Sequence, residues 1–173
     1  KANQNNPSSQ KASRKIPVVV HILHNGDALG TGENISVAQI NSQMTALNAD
    51  FASTPSVFNS VKGNMDIEFC LAQTDPNGQP TTGINRVNTG VASYTTTTIE
   101  AAKPAIQWDP TKYFNIWVCR LGGGILGYAQ FPNSGNANTD GVVISHTAFG
   151  TVGAATAPYN KGRTATHEIG HCF

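Results

Sequence analysis

The segment with the clearest chemical meaning lies near the end of the sequence, where residues 167–171 read HEIGH. Side chains four positions apart on an α-helix share one face, so His167 and His171 can direct imidazole nitrogens at one metal ion. Two histidines at this spacing, with a glutamate directly after the first, are typical of zinc-dependent peptidases. In that chemistry Glu168 takes a proton from a zinc-activated water and passes it to the leaving amine.

The two histidines alone do not complete a catalytic zinc site, which generally has three protein ligands. An HExxHxxGxxH pattern would place a third histidine after Phe173, and HExxH by itself does not distinguish this arrangement from one that uses a distant glutamate. We interpret His21, His24 and His146 as packed or solvated residues rather than ligands, because they lie within or at the end of predicted strands.

Composition excludes some classes of function. Eleven Lys and Arg against ten Asp and Glu give a net charge of +1, which argues against nucleic acid as a partner. Only 12% of the residues are charged, a composition typical of exported proteins, and no apolar run is long enough for a membrane span. The three cysteines include no CxxC pair, so they indicate neither a cysteine-type zinc site nor a disulfide framework. We therefore expect a secreted protein.

Hydrophobic patterning predicts a mixed α/β fold with a mostly parallel sheet. Strands are predicted at 16–23, 65–72, 113–121, 125–131 and 141–149, and helices at 37–51, at 97–103 and from about Arg163. Three glycines at 122–124 permit a chain reversal, so strands 113–121 and 125–131 are expected to be antiparallel neighbours. Residues 1–15 are polar and predict a flexible leader or pro-segment junction before a folded unit at 16–173.

Four segments together resemble the pappalysin-like (cytophagalysin) metallopeptidases, a metzincin family. They are IPVVVHILH at 16–24, YFNIWVCRLGGGILGYAQFP at 113–132, DGVVI at 140–144 and GRTATHEIGHCF at 162–173. The resemblance implies the upper, N-terminal subdomain of a catalytic domain. That subdomain has a twisted five-stranded, mostly parallel sheet with an antiparallel edge strand, a backing helix and an active-site helix. It also implies that the third histidine, the Met-turn and the C-terminal subdomain follow Phe173.

The resemblance further implies how a substrate would bind. A protein or peptide substrate would pair with the edge strand at 125–131, which makes Gly127, Tyr128 and Ala129 the expected substrate-binding residues. Zn²⁺ is the expected cofactor, calcium is a further cofactor that the resemblance allows, and the C-terminal subdomain on a separate chain is a second candidate partner.

The leading hypothesis is a secreted zinc endopeptidase in which His167 and His171 bind the metal and Glu168 is the catalytic acid and base. One alternative is a non-catalytic fragment of such a protease with an incomplete zinc site, and we expect residues 1–173 alone to be inactive. Another alternative is an adhesion or carbohydrate-binding module with an accidental HExxH, which predicts no stoichiometric zinc in the full-length protein.

Overall fold

A computed structural model describes residues 14–53, 65–132 and 134–173. Most of the predicted leader lies outside the described residues, but its last two residues, Arg14 and Lys15, belong to the first strand. The elements in chain order are β1 (Arg14–His24), α1 (Val37–Phe51), β2 (Ile67–Leu71), β3 (Ile84–Asn88), α2 (Thr96–Ala102), β4 (Phe114–Cys119), β5 (Gly127–Ala129), β6 (Val142–Ser145) and α3 (Arg163–Gly170).

The strands form one mixed sheet in the spatial order β2, β1, β4, β6, β5. β3 also pairs with β1, through positions 20–24, whereas β2 pairs with positions 14–18. Because β4 occupies the other side of β1, β2 and β3 lie end to end along one edge, and the sheet is five strands wide. All pairs are parallel except β5 with β6, so β5 is an antiparallel edge strand.

β1 is apolar on both faces because each face of the sheet is covered. Val18, Val20 and Ile22 lie in the larger core beneath α1 and α3. Leu23 lies in a smaller core on the opposite face, together with Ile99 of α2. This double coverage explains why β1 reads as a continuous hydrophobic run rather than as an alternating one.

α1 begins where the sequence predicts. The Ser36 hydroxyl accepts a hydrogen bond from the Gln39 amide at 3.1 Å, which satisfies one of the free N–H groups of the first turn. The apolar stripe through Ile40, Met44 and Leu47 is buried against the sheet, as its spacing predicts. None of the helices in the described ranges is long and apolar enough to cross a bilayer.

Two expectations about the sheet need correction. β4 and β5 are not neighbours, because both edges of β4 are occupied by parallel partners, β1 and β6. The chain therefore crosses from β4 to the far side of β6, where β5 pairs with β6 as the edge strand. β3, whose residues Ile84–Asn88 read INRVN, is a strand that the hydrophobic pattern did not predict.

Candidate metal centre

The HExxH residues lie at the C-terminal end of α3, where helical geometry continues through the last histidine. His171 is the C-cap residue and has α-helical backbone angles, with φ −70° and ψ −16°. Its ring therefore lies one turn after that of His167, with ring centroids 4.6 Å apart. His167 is exposed, whereas Glu168 and His171 are partly buried, so the three side chains border solvent.

The distances fit a metal ion. The Nε2 atoms of His167 and His171 are 3.1 Å apart. A tetrahedral zinc with bonds of about 2.0–2.1 Å holds two nitrogen ligands about 3.3 Å apart, so little movement is needed. One ligand atom from each of His167, Glu168 and His171 lies within 4.8 Å of the others, and no second such group occurs in the described part of the chain.

The start of α3 is fixed by a close approach to α1. Gly162, the N-cap residue, has φ +70°, and a Cβ at this position would lie 2.8 Å from the Ala46 Cβ. A residue with a side chain would be strained here and would also push α3 away from α1. The glycine thus sets the distance between the backing helix and the metal-site helix.

Two buried glutamines of α1 hold the loop that leads into α3. The side-chain nitrogen of Gln39, Nε2, donates to the backbone carbonyls of His146 and Phe149, at 2.9 and 2.8 Å. Gln43 accepts from the Gly150 N–H at 2.7 Å and donates to the Gly162 carbonyl at 3.0 Å. These bonds satisfy buried backbone groups that have no strand partner, and so they order the loop.

Asp50, near the end of α1, makes a third connection to the metal-site helix. Its carboxylate lies 3.2 Å from the Arg163 guanidinium and accepts a hydrogen bond from the Thr166 hydroxyl at 2.7 Å. Only 7% of the Asp50 side chain is exposed, so both bonds act on a largely desolvated charge. Thr166 directly precedes His167, so this contact fixes the turn that carries the first histidine.

The edge strand passes directly over Glu168. A Cβ on Gly127 would lie 3.3 Å from the Glu168 Cγ, which shows how closely the strand backbone approaches that side chain. Gly127 and Ala129 face α3, whereas the Tyr128 side chain lies in the core on the opposite face of the sheet. The predicted substrate-binding residues are therefore adjacent to the HExxH group, with alternate orientations.

Some main-chain groups of β5 point to the edge of the sheet that faces away from β6. The Ser145 amide donates to the Leu126 carbonyl and the Gln130 amide to the Gly141 carbonyl. In an antiparallel pair such bonded positions alternate, so Tyr128 is the next bonded position, opposite Val143. The N–H and C=O groups of Gly127 and Ala129 consequently point away from β6, towards the open edge.

Phe131, which follows the edge strand, and Cys172, which follows HExxH, pack beside the site. The Phe131 ring, which is 57% exposed, lies 5.1 Å from the His171 ring. The Cys172 thiol lies 3.7 Å from the Gln130 carbonyl, and burial raises its pKa to about 11. All three cysteines are free, and Cys119 is fully buried, as expected for a strand residue that packs as a small hydrophobe.

His21 has a structural environment away from the HExxH group. Its ring stacks on Trp117 with centroids 5.4 Å apart. Its Nε2 lies 2.9 Å from the Asn115 side-chain oxygen, and its Nδ1 accepts from the Asn85 amide at 3.0 Å. Burial lowers the His21 pKa to about 4, so the ring is neutral at physiological pH. His21, His24 and His146 belong to no metal-ligating group among the described residues.

Sequence reasoning identified the HExxH residues but missed the residues that position them. Gln39 and Gln43 are spaced one helical turn apart, directly beside the apolar stripe. That placement is a weak signal of buried side chains with backbone partners. Asp50 and Phe131 had no signal in the sequence, because their partners lie far away along the chain.

No family model matches the sequence, but individual proteins are similar along most of it. The chain is 32% identical to an extracellular metalloprotease of Pyricularia oryzae over 171 residues, which cover 96% of this chain and 51% of that protein. It is 29% identical to an extracellular metalloprotease of Podospora anserina, over 91% of this chain and 48% of that protein. The chain thus spans about half the length of the curated relatives it matches.

Solved structures of mirolysin from Tannerella forsythia are similar in both sequence and fold. One, in complex with a cleaved peptide, has a TM-score of 0.81 and 46% identity, and covers 93% of this chain and 63% of that chain. The same values hold for mirolysin in complex with a small compound. These similarities confirm the predicted fold class, a mixed α/β fold with a mostly parallel sheet and an antiparallel edge strand.

Proposed function

We propose that this protein is a secreted zinc endopeptidase of the pappalysin-like metzincin family, with Glu168 as the general base and then the general acid. The observation that carries the proposal is the pair of imidazole nitrogens 3.1 Å apart, with Glu168 beside them and beneath an open strand edge. The similarity to extracellular metalloproteases supports the same activity and the same location.

His167 and His171 would hold the zinc ion, which supplies a lowered water pKa and a polarised substrate carbonyl when it is bound. Glu168 takes the proton of the attacking water as the water adds to the peptide carbonyl carbon. The same carboxylic acid then donates that proton to the leaving amine as the C–N bond breaks. The side chain is partly buried beneath Gly127, and one of its carboxylate oxygens lies within 4.8 Å of a ring nitrogen of each histidine.

Substrate binding is assigned to β5. A peptide running antiparallel to the strand can bond to the outward N–H and C=O groups of Gly127 and Ala129. A carbonyl held at that edge would lie close to Glu168, because the strand backbone passes over its side chain. Tyr128 completes the predicted substrate-binding segment between the two outward positions.

The proposal includes a third protein ligand, because a catalytic zinc generally has three. We assign it, together with a Met-turn and a C-terminal subdomain, to residues that follow the sequence described. The curated relatives, about twice as long as this chain, support that assignment. Residues 16–173 would then form the upper subdomain and one wall of the active-site cleft.

The test compares the full-length protein with its Glu168→Gln and His167→Ala variants. We expect Glu168→Gln to keep one equivalent of zinc and to lose at least about 10³-fold in kcat on an unfolded protein substrate, because base and acid are both removed. His167→Ala should lose the zinc itself. Peptide hydrolysis by Glu168→Gln at the wild-type rate would contradict the proposal.

A parallel assay on residues 1–173 alone separates the enzyme from its fragment. With two imidazole ligands this segment should bind zinc weakly and hydrolyse nothing. Hydrolysis by the segment alone would show that the proposed third ligand is unnecessary, and absence of zinc from the full-length protein would favour the binding-module alternative.

A further inference from the structure

A polar cluster built around a buried lysine lies behind the edge strand, on the face of the sheet opposite the HExxH group. The Lys103 side chain, just after α2, is fully buried, with its Nζ 2.5 Å from the Glu100 Oε1 and 3.2 Å from the Thr139 carbonyl. The ammonium also lies 4.7 Å from the centre of the Trp117 ring. Burying an unpaired ammonium is costly, so the Glu100 carboxylate offsets the desolvation of Lys103.

The same carboxylate oxygen receives a second hydrogen bond from the edge strand. The Tyr128 hydroxyl donates to the Glu100 Oε1 at 2.6 Å, a short distance typical of a hydrogen bond to a charged acceptor. Lys103 Nζ lies 5.2 Å from the Tyr128 ring centre, within cation–π distance. Burial and the neighbouring Glu100 raise the Tyr128 pKa, so the hydroxyl remains a donor.

Because Tyr128 belongs to β5, its contacts with this cluster restrain the position of the edge strand. β5 is only three residues long, and Tyr128 is its central residue. Within the described ranges β5 pairs with one strand, β6, and no strand lies on its other edge. A side-chain anchor at the centre of such a short strand restrains both the register and the tilt of the residues on either side.

We propose that Glu100 and Lys103 form, with Tyr128, an anchor that holds the edge strand in the position where Gly127 and Ala129 can pair with a substrate. Tyr128 is then a positioning residue, because its side chain acts from behind the strand while its neighbours present the main-chain groups. This inference rests on the proposed peptidase function, and it adds residues of α2 and its following turn to the determinants of substrate binding.

The test is Tyr128→Phe in the full-length zinc-loaded protein, which removes the hydroxyl and leaves the ring in place. We expect KM to rise about fivefold for peptides long enough to pair along β5, with kcat within about twofold of wild type. The KM of a peptide too short to pair with the strand should rise much less, because that peptide makes no bonds to the main-chain groups of Gly127 and Ala129. If Tyr128 had only a general structural role, the variant would instead change kcat/KM by the same factor for both peptides.

Tyr113→Phe is the matched control, since its hydroxyl donates to the Thr74 carbonyl at 2.9 Å in a solvent-exposed hydrogen bond. This variant should leave KM and kcat unchanged for both peptides. Glu100→Gln is the second variant: it keeps an acceptor for Tyr128 but removes the charge partner of Lys103, and it should raise KM for the long peptide selectively.

An unchanged KM for the long peptide in both Tyr128→Phe and Glu100→Gln, with folding intact, would overturn the anchor. Failure of the proposed function has a different signature, because it would show as wild-type hydrolysis by Glu168→Gln or as a protein without zinc.

Discussion

At Gly127 the edge strand approaches the HExxH helix closely. A Cβ there would lie 2.9 Å from both the Val143 carbonyl oxygen and the Ile144 Cδ1, and 3.3 Å from the Glu168 Cγ. The Val143 carbonyl belongs to β6, which pairs with a strand on each side, so it cannot move without disturbing strand pairing. Glycine is therefore required by close approach rather than by backbone conformation.

Gly127→Ala should accordingly destabilise the fold by about 1–3 kcal/mol, as expected for overpacking against fixed backbone. Gly170→Ala is the control, because a Cβ on that helical glycine would meet no atom within 4 Å. That control should raise stability by about 0.4–1 kcal/mol. Urea unfolding of both variants measures the difference, and a Gly127→Ala variant as stable as wild type would show that β5 can move away from α3.

At the scale of elements, the sequence predicts well what depends on local periodicity. α1, with its Ser36 cap, and the buried strands β1, β4 and β6 were all expected from their residues. β3 was missed because Asn85, Arg86 and Asn88 give it little β-propensity. It forms because the second half of β1 has an edge left open by β2.

The packing of α3 on α1 depends on polar contacts that no periodicity reveals. Gln43→Met should cost roughly 2 kcal/mol, because the volume is kept while the buried Gly150 N–H loses its acceptor. We also expect weaker zinc binding, since Gln43 holds the residue at which α3 starts. Chemical unfolding and competition with a zinc chelator give the two readouts.

Asn41→Met, at an exposed position of the same helix, is the control for that substitution. Its stability should be unchanged or slightly raised, since methionine is the better helix former. Equal effects of the two variants would mean that the glutamine contacts do not hold α3.

At the scale of the whole molecule, the residues expected to do the chemistry are close together in the sequence, whereas the residues that support them are far apart. His167, Glu168 and His171 lie within five positions, so their motif could be recognised without a fold. Their supports come from α1, more than a hundred positions earlier in the chain, and from a loop whose glutamine partners are equally distant. The orientation of each β5 residue also depends on pairing with β6, which comes after β5 in the sequence.

The protonation of His21 makes the free energy of unfolding depend on pH. Its pKa is lowered from 6.5 to about 4 by burial, so the folded protein excludes a proton that the unfolded chain binds. Above about pH 6.5 neither state binds that proton, and this residue adds no pH dependence. As the pH falls from 6.5 towards 4, the unfolded state is increasingly favoured, up to about 3 kcal/mol in total.

We therefore expect the free energy of unfolding to fall over this window in the wild type and to fall less steeply in His21→Gln. Glutamine is smaller and does not titrate, so this variant starts from a lower stability at neutral pH but loses less of it on acidification. His146 also has a pKa lowered by burial and contributes in the same direction, so the informative quantity is the difference in slope between the two proteins. Urea unfolding at half-unit intervals from pH 7 to 4 measures it. Parallel curves would mean that His21 takes up its proton within the folded state, with Asn85 turning its carbonyl oxygen towards the ring.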